Sequence, residues 1–112
     1  MTHDEENGQE KSIRVTNTLK MAVLVRALRN AFAMSQADLA KRGGSSRPTL
    51  NRIETMDRRS PRSDTLDNLL QVFRDYGVEI TIGDEYLNIH LPRKALIAAD
   101  ELLSATAPRT QE

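Results

Sequence analysis

From about Thr18 to Phe32, apolar residues return at steps of three and four: Leu19, Ala22, Val23, Leu28, Ala31 and Phe32. That spacing lays a stripe along one side of a helix. Ser35 follows, with Asp38 three residues on, the spacing at which a hydroxyl and a carboxylate cap each other's backbone N–H groups. It predicts a short helix from Gln36 to about Arg42 with Leu39 and Ala40 facing inward. Gly43-Gly44 stops it, because glycine takes the positive φ found at helix C-termini. A second short helix comes next. Ser45 or Ser46 is placed to cap it, and Pro48 falls in its first turn, where a missing N–H is harmless. Arg47 precedes a proline and is a third candidate for the cap. Leu50 and Ile53 form the buried stripe. Between Thr55 and Arg62 the one long apolar side chain is Met56, which predicts a basic loop ending at Pro61. Ser63 is placed to cap a longer helix from Asp64 to Tyr76, with Leu66, Leu69, Leu70, Phe73 and Tyr76 on one stripe and Gly77 as its stop.

The period then shortens from 3.6 to 2. In VEITI, Val78, Ile80 and Ile82 share one face; in YLNIHL, Leu87, Ile89 and Leu91 do. Gly83-Asp84 between them signals a turn, so the two runs predict a β-hairpin. A lone hairpin is marginal in water and must pack on something. Pro92 ends it and opens a last helix, about Arg93 to Ser104. That helix carries Arg93 and Lys94 at its start and Asp100 and Glu101 near its end, both against the helix dipole. It is therefore expected to depend on tertiary or partner contacts. The chain divides into an acidic disordered tail (1–12), a helical domain (13–77), a hairpin with a helix (78–104) and a disordered end (105–112).

Composition narrows the function. The 112 residues suit one small domain. With 38% hydrophobic residues and no Trp the core is small, and oligomerisation is a natural supplement. The formal charge is zero but unevenly spread. Residues 1–10 carry a net −4, residues 11–76 a net +7 and residues 77–112 a net −3. The basic excess peaks between Lys41 and Arg62, where seven basic residues face Glu54 and Asp57. Such a centre is either a footprint for nucleic acid or a solvated face balanced by the ends. The absence of Cys removes disulfides and thiolate chemistry. The two histidines, His3 and His90, lack metal-ligand spacing. Gly43-Gly44 is followed by SSRPT, not by the Lys-Ser/Thr of a phosphate cradle. With no convergent nucleophile, base and oxyanion parts, the chain is expected to be non-catalytic and to use no metal or cofactor. Its acidic start without an apolar run, and the lack of any membrane-length apolar stretch, predict a cytoplasmic protein.

Two short helices joined by a tight glycine turn, inside a bundle of four, form a helix-turn-helix. The second helix of such a unit enters the DNA major groove and the first crosses the backbone. The pieces LRNAFAMSQADLAKRGG, SRPTLNRIE and SPRSDTL, in that order and spacing, resemble the Xre/Cro-type helix-turn-helix domain of phage repressors and related regulators. The resemblance spans roughly residues 19–80. It implies a mainly α fold: a four-to-five-helix domain followed by the hairpin and a short C-terminal helix. It also implies roles by position. Gln36 matches a glutamine whose amide reaches a DNA phosphate and steadies the recognition helix. Ser46 matches the cap, whose hydroxyl or N–H faces phosphate. Arg47, Pro48 and Thr49 match the base-facing first turn. Arg47 is the best candidate for direct readout, because its guanidinium fork fits guanine O6 and N7. Arg52, one and a half turns on and on much the same face, is placed for a base or a phosphate, and Asn51 for a base edge. Pro48 has no donor and is left with a thymine methyl. Arg29 and Glu54 match a buried ion pair, read either as purely structural or as letting Arg29 also approach phosphate. Ser45 stands where the family usually has an apolar plug, which predicts looser packing of the turn. Thr55 and Met56 replace a common glycine, which predicts a differently shaped loop. Arg58, Arg59 and Arg62 are candidate phosphate contacts or simply a solvated loop.

One such domain reads only a few base pairs, and family members usually dimerise on a palindrome. The apolar set Val78, Ile80, Ile82, Leu87, Ile89 and Leu91 is therefore a candidate dimer interface across a two-fold axis, or else folds back on its own domain. A helical domain followed by a strand also resembles HipB-type antitoxins, which bind a toxin protein and repress their own operon. The expected function is a homodimeric transcriptional repressor on double-stranded DNA. The alternative is an antitoxin, towards which the acidic ends lean by suiting a basic partner surface.

Overall fold

The computed structural model describes residues 13–57, 59 and 62–106; residues 1–12 and 107–112, Arg58, Ser60 and Pro61, and with them the expected end of the basic loop, lie outside them. Five helices and one hairpin follow in order: α1 Asn17–Ala31, α2 Gln36–Arg42, α3 Arg47–Glu54, α4 Ser63–Asp75, β1 Glu79–Ile82, β2 Leu87–His90 and α5 Arg93–Thr106. The expected mainly α fold, four helices and then a hairpin with a helix, is the one observed.

The caps explain where the helices begin. The Thr16 hydroxyl accepts the Leu19 N–H at 3.1 Å ahead of α1. At α2 the Ser35 hydroxyl accepts the Asp38 N–H at 3.0 Å, and the Asp38 carboxylate accepts the Ser35 N–H at 3.1 Å, a complete capping box. At α3 the cap is Ser46, which accepts the Thr49 N–H at 3.3 Å. Arg47 is therefore the first helical residue, not the cap: the hydroxyl bond outweighs the pre-proline bias. At α4 the helix starts one residue before its expected beginning. Arg62 occupies the cap position with no side-chain bond, and Ser63 is inside the helix.

The first four helices end alike. Ala33, Gly44, Met56 and Gly77 take φ of 55°, 68°, 61° and 102°. In each case that residue and the next donate backward to the last turn; Gly77 bonds Arg74 O at 2.9 Å and Val78 bonds Phe73 O at 3.1 Å. This paired closure satisfies carbonyls that the helix leaves open. Met56 thus takes the left-handed conformation that glycine adopts most easily. Ser45 is likewise held, its N–H on Ala40 O at 2.8 Å. Only the second glycine of Gly43-Gly44 has positive φ. Gly43 is needed for space, since a Cβ there would lie 2.7 Å from Leu69 Cδ2 and 3.3 Å from Leu69 Cα.

In the core, α3 packs on α1 and α2, and α4 on the same two. Phe32, Phe73, Leu24, Leu28, Leu39, Leu50, Leu69 and Val25 are fully buried, each worth about 1.5–3 kcal/mol relative to exposure. The Phe32 ring sits 5.6 Å from Phe73 and is stacked on Tyr76 at 5.4 Å. The stripe of α1 differs from the expected one. Met21, Leu24 and Val25 join Ala22 and Leu28 in the core, while Val23 and Ala31 are exposed. MAVLV is apolar throughout, so spacing leaves its phase open, and contact with α3 and α4 selects it.

The hairpin pairs Ile80 with Ile89 and Ile82 with Leu87, placing the alternate apolar residues on one face. Val78 is buried, and Ile80, Leu87, Ile89 and Leu91 are partly buried against the core of their own chain, while Ile82 stays 40% exposed. The turn is tied down by Lys20, whose Nζ donates to Gly83 O at 2.7 Å and Asp84 O at 3.0 Å. Beyond it, α5 sets Ala95 and Ala99 into the core and lays the stem of Lys94 over Gly77. This helix continues to Thr106, so Asp100 and Glu101 are in its middle; only Arg93 and Lys94 at the start oppose the dipole.

Candidate nucleic-acid interface

α3 is eight residues long, and its inward face is set by Leu50, Ile53 and Glu54, all buried. At about 100° per residue the opposite arc is centred on Pro48, flanked by Arg47 and Asn51 on one side and Arg52 on the other. Arg47 and Arg52 are thus about 140° apart: they frame the exposed arc of α3 and do not share one line along it, as a count of turns alone suggests. Arg47, Pro48 and Asn51 are exposed, Arg52 and Thr49 half-buried. Arg47, Pro48, Asn51 and Gln36 line one shallow open groove. Thr49 turns inward from it, its Oγ1 2.9 Å from Ser46 Oγ.

A buried acid fixes α3 to its neighbours. Glu54 Oε2 accepts from Arg29 Nε at 2.7 Å, and Oε1 accepts from the Arg29 terminal nitrogen at 2.9 Å. A bidentate fork of this kind gives both energy and orientation. The other terminal nitrogen of Arg29 donates to Met34 O at 3.0 Å, and Gln36 Nε2 donates to Glu54 Oε1 at 3.2 Å. One carboxylate therefore ties α1, the α1–α2 turn and α2 to α3. Burial pushes the Glu54 carboxyl up, but the bonds from Arg29 and Gln36 and the charges of Arg29 and Arg26 outweigh it and hold it below its ordinary range. The bond to Glu54 in turn raises the Arg29 guanidinium. Among the described residues every buried side-chain nitrogen and oxygen has a partner. Gln36 has one amide N–H on Glu54, and its second N–H is the donor left to face outward.

The loop after α3 joins Asp57 to Arg59. The Arg59 backbone N–H donates to Asp57 Oδ1 at 2.9 Å, and its guanidinium donates to the same carboxylate at 3.1 and 3.3 Å. These bonds, led by that from the Arg59 side chain, with the charge of Arg52 nearby, lower the Asp57 carboxyl to about 2. Reading the basic residues alone misses Asp57. The signal is an Asp two residues before an Arg, the spacing of a side-chain-to-backbone turn. Arg62 is exposed. Of the residues singled out in the sequence, Gln36, Arg47 and Asn51 share one groove; Arg52 and Arg59 lie towards Asp57; and Val78, Ile80, Leu87, Ile89 and Leu91 face their own core.

No described helix is long and apolar enough to cross a membrane. No curated protein and no solved structure gives a significant match. A family model described as "Helix-turn-helix" matches residues 25–78, the stretch from the middle of α1 to the joint between α4 and β1. The matched stretch is a helix-turn-helix domain of the Xre/Cro type, a family of DNA-binding regulatory domains and not of enzymes.

Proposed function

We propose that this protein is a sequence-specific transcriptional repressor that binds a palindromic operator as a dimer, with the outer arc of α3 in the major groove. The observation that carries the reading is the exposed set Arg47, Pro48 and Asn51 on a helix whose opposite face is braced by a buried, bidentate Arg29–Glu54 pair. A rigid scaffold under exposed donors is what direct readout requires, because a base-edge contact depends on angle as well as reach. Arg47 reads guanine, Asn51 a base edge on the same side, and Pro48 packs on a thymine methyl. Arg52 is placed for the far side of the same groove. Gln36 and Ser46 lie against phosphate at the start of the two motif helices, and Arg62 beyond the loop. Arg59 reaches phosphate only by sharing its guanidinium with Asp57.

The test is binding to an operator selected from random DNA. Arg47→Ala is expected to weaken the cognate site by about 1–3 kcal/mol and relax preference at one base position. An Arg47→Ala protein that keeps both affinity and selectivity overturns the readout assignment. Footprinting on the selected site gives the half-site separation. About one helical turn between centres is expected of a dimer, and protection of a single half-site removes the dimeric part of the reading.

A further inference from the structure

The core-facing stripe of α5 is Ala95 and Ala99, with Ala98 and Leu102 beside it. The opposite face carries a different set. Leu96 is 56% exposed and Ile97 47% exposed, and the two line a shallow groove with Arg93 and Asp100. At about 100° per residue these four positions fall within one arc of about 100°. Leu96 and Ile97, bracketed by one positive and one negative charge and followed two turns beyond Leu96 by Leu103, 49% exposed, put large apolar side chains on the outer face of a helix, which the fold of the single chain does not explain. Arg93 forms no ion pair among the described residues, and Asp100 accepts only a long 3.5 Å bond from Ser104.

The four positions have a symmetry of their own. Arg93 and Asp100 are two turns apart, and Leu96 and Ile97 straddle their midpoint. An antiparallel copy of the helix, related by a two-fold axis through that midpoint, sets Arg93 against the partner's Asp100 and Asp100 against the partner's Arg93. It sets Leu96 against the partner's Ile97 and Ile97 against the partner's Leu96. A two-fold interface must be self-complementary in this way. We infer that the outer face of α5 is a homodimer seam, in which Leu96 and Ile97 pack antiparallel on a second copy of this chain between two Arg93–Asp100 ion pairs.

The seam also accounts for the placement of charge. Arg93 in the first turn opposes the dipole of its own helix, and in the pair it gains a carboxylate from the partner. Two crossing helices bury less than the roughly 800 Å² per partner of a standard interface, so the dimer is expected in the micromolar range. Adjacent half-sites strengthen it by raising the effective concentration of the second copy. This inference rests on the dimeric reading above and specifies its surface.

The experiment is sedimentation of the full chain without DNA, up to high micromolar concentration, for the wild type, Arg93→Asp, Asp100→Arg and the double exchange. The wild type is expected to dimerise. Each single exchange faces like charges across the axis and is expected to weaken dimerisation about tenfold, and the double exchange to restore it. Leu96→Glu is expected to abolish it. Thermal melts separate folding from association: Arg93→Asp favours the dipole, so the monomer is expected to melt no lower than the wild type. A wild-type dimer that survives Leu96→Glu and both single exchanges, or a double exchange no better than the singles, overturns the seam and leaves the dimeric reading standing; loss of that dimer in Ile82→Glu then places the contact on the hairpin. A wild type that remains monomeric alone and also on its operator overturns both.

Discussion

Glu54 shows how one side chain links stability to the placement of the proposed readout residues. It is buried in α3, the helix that carries Arg47 and Asn51, and its charge is matched by Arg29. Removing one partner of such a pair leaves an uncompensated buried charge, which costs about 3–5 kcal/mol. Arg29→Ala is therefore expected to lower the melting midpoint by well over 10 °C for a domain of this size, a change that calorimetry reads directly. Acid acts on the same group. The folded carboxyl titrates below its ordinary 4.5, so the unfolded chain takes up the proton first. The stability Glu54 provides is complete above that value and is lost as the pH falls through the folded value. Glu54→Gln is expected to flatten the acid limb of the stability curve. Asp57 is a second acid with a partner, half-buried in the loop after α3, and its expected effect is on the proposed binding. It occupies the Arg59 guanidinium, so Asp57→Asn is expected to strengthen binding to all DNA sequences alike and to steepen the salt dependence by about one ion. No change in the salt slope would show that Arg59 does not reach phosphate.

At the scale of the element, turn chemistry stands out. Four successive helices close through a left-handed residue, and two of those residues are not glycine. A side chain in that conformation costs about 1–2 kcal/mol, part of which glycine returns as extra freedom of the unfolded chain. Met56→Gly is thus expected to raise stability by about 0.5–1 kcal/mol, measured by denaturant midpoint, since Met56 is 46% exposed and lies outside the core. Gly43→Ala is expected to do the reverse, because the added methyl meets Leu69. The sequence marks Gly43-Gly44 and Gly77 as stops. It also suggests that losing the glycine at Met56 changes the loop. The closing backbone bonds need a residue with positive φ there, and methionine takes it.

Across the whole molecule, the hairpin and α5 are held to the helical domain by few, identifiable contacts. Lys20 bonds two carbonyls of the turn, and the apolar strand face rests on the core. Lys20→Ala is expected to speed amide exchange in the hairpin while leaving DNA affinity unchanged, because Lys20 lies on the opposite end of α1 from the Arg29 brace. A matching loss of affinity would show that the hairpin supports α3. The small alanines of α5 let that helix lie close to the core with its larger side chains turned outward.

The chain's local rules reside in its sequence: where helices start and stop, where the period changes from 3.6 to 2, and which short helix carries Arg47. Caps, glycines and alternation act over three or four neighbours, and a single chain reveals them. Tertiary structure alone decided the phase of α1, whose MAVLV run has no polar position to orient it. It decided that Gln36 joins the Arg29–Glu54 pair, which the resemblance implies, from 18 positions away. It turned the hairpin's apolar face onto its own core. Each of these depends on which surfaces are brought together when the chain closes, and spacing along the chain does not carry that information.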